Sequence, residues 1–135
     1  MTAEEAVAEA GEGESVVGWK LDEEQRRELL QQFPPHYPHV VADHVTLKAK
    51  VSQEAPPPDA VTGEIVGLAD DGRGVEALVI SIGGTTDRPG GGTYHLTWSL
   101  DTGPEAQESN DVIARSGWSG LDLPMPVQLH PARFD

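Results

Sequence analysis

The chain has no cysteine. That removes a disulfide framework, a thiolate metal site and a cysteine nucleophile together. It is also poor in basic residues, with nine Lys and Arg against 23 Asp and Glu and a formal net charge of −14. Proteins that grip long nucleic acids do so with Lys and Arg against phosphates, so extensive nucleic-acid backbone binding is not expected. A site for one terminal phosphate or a small nucleotide needs only a local positive patch. Long apolar runs are missing as well. No stretch approaches the ~20 residues of a membrane-spanning helix. The N-terminus is acidic and has no apolar segment of the kind a secretory signal carries. The expectation is a soluble cytoplasmic protein with no membrane partner.

What is present suits one domain. With 135 residues and a hydrophobic share of 37%, the chain supports a modest core. Residues 1–17 carry Glu4, Glu5, Glu9, Glu12 and Glu14 with no basic residue, the composition of a disordered acidic tail. Residues 18–135 form the expected domain. The clearest helix runs from Leu21 to Phe33. Asp22 caps it, Glu23 and Glu24 suit the positive end of its dipole, and Pro34-Pro35 ends it. Tyr37, in the loop that follows, is a candidate to stack on a nucleobase. Thr62–Leu68 and Val75–Ile82 are expected strands around the Asp70-Asp71-Gly72 turn, the second central and buried. The Gly-rich stretch 83–93 carries Arg88 and lacks the spacing of a phosphate-binding P-loop. It is a candidate mobile flap, with Arg88 anchoring a substrate phosphate. A short helix capped by Ser109 or Asn110 is expected to run through Arg115 or Ser116 and to be stopped by Gly117. Pro126–His130 is a closing strand, which Pro131 confines to an edge or an end.

Two stretches stand apart. His44-Val45-Thr46-Leu47 and His95-Leu96-Thr97-Trp98 share one pattern: His, any residue, Thr, a large apolar residue. Each lies in a run of alternating character, the first from about Val40 to Val51. A strand has a side-chain period of two, so each His shares a face with its Thr while the apolar set turns away. A core accounts for the apolar faces. It does not require His-x-Thr twice on the polar ones, and the pair is read as one site. Lys48 and Lys50 extend the first polar face, and Lys48 is a further candidate for phosphate contact.

The paired motifs resemble the signature of the 2H phosphoesterase superfamily, and more narrowly the small 2H domains of RNA-repair and tRNA-ligase-type cyclic phosphodiesterases. Gly72–Leu78 and the Glu108-Ser109-Asn110-Asp111 segment add to the likeness, which spans roughly residues 36–135. The resemblance implies an α+β fold of two pseudo-symmetric lobes. They would be mostly antiparallel, with five or six strands and about two helices, one motif per lobe facing a central groove. It also implies an RNA 2′,3′-cyclic phosphate end or small nucleotide as substrate, roles in RNA repair or processing, and RNA-repair proteins as partners.

The chemistry follows independently. Opening a cyclic phosphodiester needs a base to activate water and an acid to protonate the leaving oxygen, in line across phosphorus. Histidine titrates near 6.5, so two can hold opposite protonation states near neutrality. His44 and His95 are the expected acid/base pair. Thr46 and Thr97 bind the phosphate oxygens, with Tyr37, Lys48, Arg88 and Ser109 as candidate substrate contacts. This chemistry requires no cofactor, and no metal site is expected. Two other readings fit the same residues. One is an enzyme of the same fold acting on 2′-5′ linked or cyclic oligonucleotide signals. The other is a non-catalytic module that binds nucleotides or RNA ends.

Overall fold

Alternating strands with one apolar face can bury that face by curling it inward and closing the sheet. The computed structural model shows this outcome; it describes residues 14–52, 54–89, 91–105 and 108–134. In chain order the elements are β1 (Glu14–Leu21), α1 (Glu23–Gln32), β2 (His39–Val40), β3 (His44–Ser52) and β4 (Val61–Asp70). β5 (Val75–Ser81), β6 (His95–Leu100), α2 (Ser109–Ser116) and β7 (Ser119–Phe134) complete them. The strands pair in the order β2-β6-β3-β1-β7-β4-β5, and β5 pairs back onto β6. Six strands therefore close a barrel, all pairs antiparallel, with the two-residue β2 beside the end of β6.

One cluster fills the barrel. It takes Trp19 and Leu21 from β1, Val45 from β3, Ile65 from β4, Leu78 and Ile80 from β5, Leu96 and Trp98 from β6, and Val127 and Leu129 from β7. Every barrel strand contributes, which is what the period of two demands of a closed sheet. α1 adds Leu29, flanked by Leu30 and Phe33. Trp98 is fully buried and its indole N–H donates to the Phe33 carbonyl at 2.7 Å. α2 packs outside the barrel, with Val112 beside Val75 and Leu100, and Ile113 beside Ala77 and Val79.

The fold is mixed α+β and mostly antiparallel, as expected. Several details differ. The tail expected over residues 1–17 falls largely outside the described residues, but Glu14–Val17 belong to β1. The single strand expected over 40–51 is broken into β2 and β3 by a kink at Val41–Asp43. Ala42 there adopts φ 45°, the left-handed region, at about 1–3 kcal/mol for a residue with a Cβ. Arg26 of α1 steadies the kink by donating from Nε to the Ala42 carbonyl at 2.9 Å. Pro131 lies inside β7, opposite Trp19 of β1, beyond Leu129 where pairing with β4 has ended. No helix among the described residues is long and apolar enough to cross a membrane.

Candidate functional site

β3 and β6 touch through a single registered pair, Val45 opposite Leu96, both in the core. One step along each antiparallel strand, this register sets His44 across from Thr97 and Thr46 across from His95. The two motifs thus cross head to tail on the outer face of the barrel. The two His are diagonal neighbours, positions typically about 7–8 Å apart. Gly18 of β1 stands opposite Thr46. A Cβ there would lie 2.1 Å from the Val45 carbonyl oxygen, so only glycine allows β1 and β3 to meet behind the first motif.

All four polar side chains are buried: His44 is 1%, Thr46 5%, His95 7% and Thr97 0% exposed. Buried polar groups must find partners, and these do. His44 Nε2 lies 3.1 Å from Thr46 Oγ1. His44 Nδ1 lies 3.4 Å from the Asp43 carboxylate; an ionised carboxylate only accepts, so Nδ1 carries the hydrogen. Burial pushes the Asp43 carboxyl up, but the His44 hydrogen bond and the Lys20 charge overcome this and hold it below its ordinary value. The Phe134 ring, at the end of β7, stands 4.8 Å from the His44 ring.

His95 is held differently. Its Nδ1–H donates to the Thr93 carbonyl at 2.8 Å, which leaves Nε2 as a lone-pair acceptor. Burial drives its pKa from 6.5 down to about 4; the Thr93 bond opposes this, and the charges of Arg88 and His44 add to it. His95 is therefore neutral at pH 7. Thr97 Oγ1 and Ser109 Oγ lie 2.8 Å apart.

The seam thus gathers His44, Thr46, His95 and Thr97, and it brings Ser109 and Arg88 to them. Ser109 serves a different local end than the one expected. The position before the helix is Glu108, with no side-chain cap bond, and Ser109 turns inward onto Thr97. Arg88 lies near enough to His95 to oppose its protonation, while its own Nε donates to Gly91 O at 3.1 Å.

Two candidates lie elsewhere. Lys48 stands opposite Val17 while Thr46 stands opposite Gly18, adjacent β1 residues that face opposite ways. The irregularity at that point of the ladder breaks the alternation after Thr46, so exposed Lys48 leaves the motif face. The Lys50 side chain falls outside the described residues. Tyr37 is tied to β4 and β6 instead of facing the motifs: its hydroxyl donates to Asp70 Oδ1 at 2.6 Å and its backbone N–H to Ser99 Oγ at 3.2 Å. Burial and the Asp70 bond push the phenol up to about 12.

Asp43 and Phe134 are additional. Asp43 could be found as a carboxylate adjoining the motif; Phe134 has no local signal, since only the barrel brings it to His44. Beside the site lies a cleft of about 890 Å³ lined in part by Lys20, Arg26, Arg27, Asp43 and His130. It starts one strand from the motif, because Lys20 stands opposite both His44 and His130. Neither motif His lines it. Among the described residues, no group of three or more His, Asp and Glu is arranged to hold a metal ion.

No family model matches this chain, and neither does any curated protein or solved structure.

Proposed function

We propose that this protein is a phosphodiesterase that opens 2′,3′-cyclic phosphates, at RNA ends or in small cyclic nucleotides, by metal-independent acid/base catalysis with two histidines. One observation carries the reading: the crossing of β3 and β6 brings two His-x-Thr motifs, 51 residues apart by number (His44 to His95), head to tail on one face. On this reading the halves β3-β1-β7 and β6-β5-β4 are the two lobes of the 2H arrangement. They are joined by the β4–β7 ladder on one side and by the thin β3–β6 seam, where the motifs lie, on the other.

The roles divide by environment. His95 is the base: it is neutral at pH 7, and its bond to Thr93 O leaves Nε2 able to take a proton from water. His44 takes the part of the acid: the Asp43 carboxylate accepts its Nδ1–H and orients the ring, and Nε2 gives a proton to the leaving oxygen. Thr46 and Thr97 reorient their hydroxyls toward the non-bridging oxygens. The cleft beside Lys20 is large enough for a nucleoside. Because both rings are buried in this structure, turnover includes a step that opens the site, with Phe134 moving off the His44 ring.

The test is incubation of purified protein with 2′,3′-cyclic AMP in EDTA, beside His44→Ala and His95→Ala. Turnover that survives EDTA and falls about 10²–10⁴-fold in each variant supports the reading. Turnover unchanged in either variant refutes it. Saturable binding of the cyclic nucleotide without turnover would instead favour a module that senses nucleotide ends, which the same closed site could serve.

A further inference from the structure

α2 starts with two residues that each reach the second motif. Ser109 meets Thr97, as above. Asn110 reaches the chain just ahead of His95: its Oδ1 accepts from the Thr93 N–H at 3.2 Å. The facing atom must be the oxygen, since a backbone N–H can only donate. Thr93 in turn presents the carbonyl that receives His95 Nδ1–H at 2.8 Å. Asn110, Thr93 and His95 form one chain of contacts from the helix to the imidazole.

The surroundings hold Asn110 in place from both sides. Val112 and Ile113, on the same short helix, are buried against β5 and β6. On the other side Gly92, at φ 90°, packs so closely that a Cβ would lie 2.6 Å from Asn110 Oδ1. Arg88 N–H donates to Gly92 O at 3.0 Å, and Asp87 bridges to Thr93. Thr93 is thereby fixed by the loop, where the next N–H, of Tyr94, donates to Thr86 O at 2.9 Å, and by Asn110 from the helix side.

We propose that Asn110 is a positioning residue for His95. By holding Thr93 it keeps His95 in the Nδ1–H tautomer, with Nε2 bare toward the other motif. An imidazole has two neutral tautomers, and the hydrogen bond made at one nitrogen decides which is present. Without Asn110 the Thr93 carbonyl is held by the loop alone, through the Tyr94 N–H bond to Thr86 O at 2.9 Å, and the tautomer preference weakens. The inference deepens the catalytic reading and rests on it for its purpose, since a base with its lone pair on Nδ1 would point at Thr93 instead of at substrate. The geometry it describes can be measured without substrate.

The experiment records ring ¹⁵N shifts of His95 by long-range correlation NMR near pH 7 in the wild type, Asn110→Ala, Asn110→Asp and Gly92→Ala. The wild type should be Nδ1–H. Asn110→Ala should lower the Nδ1–H to Nε2–H ratio about tenfold, the equivalent of one lost modest hydrogen bond. Asn110→Asp keeps an acceptor and should restore the ratio. Gly92→Ala drives its methyl into the amide and should repeat the alanine result from the other side of the contact, so a folding defect in one variant does not decide the outcome. With 2′,3′-cyclic AMP, kcat should fall about tenfold or more in Asn110→Ala with KM little changed, and recover in Asn110→Asp. A wild-type ring in the Nε2–H form, or an Asn110→Ala ring still fully Nδ1–H, overturns the inference. A shifted tautomer in a protein that turns over no cyclic nucleotide sustains the positioning role and sinks the catalytic reading.

Discussion

Replacing His95 by Asn should flatten the dependence of stability on pH in mild acid. The burial that drives the His95 pKa from 6.5 to about 4 opposes its charged form in the folded state only. Below 6.5 the unfolded chain takes up a proton at this ring, while the folded chain does not until about pH 4. Across that window the unfolded state binds more protons, so stability falls as pH falls, by about 1.4 kcal/mol per pH unit. The whole window is worth about 3 kcal/mol, and below it the contribution is flat. The carboxylates with shifted pKa values do not blur this range. Asp22, Asp43 and Asp70 all lie below their ordinary 3.8, so their stabilisation is lost only on further acidification. Urea denaturation at about pH 6.5 and 4.5 measures the difference. The wild type should lose about 2–3 kcal/mol between them and His95→Asn less than about 1 kcal/mol. Equal losses in both proteins would mean that His95 is protonated in the folded state near pH 6. The assignment of His95 as the base would fall with it, because the acid limb of kcat/KM should lie near 4 for the same reason.

Two further outcomes follow from the fold. Gly18→Ala places a methyl 2.1 Å from the Val45 carbonyl and should lower stability by about 1–3 kcal/mol, with activity falling more than stability alone explains because Thr46 stands opposite; an unchanged denaturation midpoint contradicts the close approach of β1 and β3. At the other end of β6, His36 Nδ1 lies 2.7 Å from Asp70 and 3.2 Å from buried Glu76, beside Tyr37. The Asp70 hydrogen bond raises the His36 pKa against the pull of burial, with the Glu76 charge adding to it. This stabilisation is full below 6.5 and is lost as pH rises through the folded value, opposite in sign to His95. Thermal melts from about pH 6 to 8.5 should show that alkaline decline in the wild type and a smaller one in Glu76→Gln.

The faces of the motif strands were legible because alternation is local. His44 and Thr46 share a side, as do His95 and Thr97, whatever the strands pair with. The helix from Asp22 was legible for the same reason: Asp22 Oδ2 accepts from Gln25 N–H at 3.1 Å, a contact within one turn. What failed to show was set by partners distant in sequence. The break at Val41–Asp43 depends on Arg26 and on Thr97, whose carbonyl receives the Ala42 N–H. Lys48 leaves the motif face through a ladder irregularity that exists only against β1. Ser109 has the composition of a cap, and nothing around it in sequence points to a hydroxyl 12 residues away. Closure of the strands into a barrel rests on β5 meeting β6 and β3 meeting β6, pairings that no local pattern encodes.

The cost of this seam argues that it is more than architecture. The outer face of a small barrel is ordinarily solvated, so polar residues there need no fixed partners. At the β3–β6 seam four polar side chains lie on that face and are buried, and a buried polar group left unpaired costs about 1–3 kcal/mol. Each has a partner: Asp43 behind His44, Thr93 behind His95, Thr46 against His44, and Ser109 of α2 against Thr97. Valine at these positions would suit a strand and need none of that support. A barrel built only for stability has no use for a neutral imidazole backed by a carbonyl beside another backed by a carboxylate. A pair of groups that must exchange protons from opposite sides of one phosphorus does, because their environments have to push their proton affinities apart.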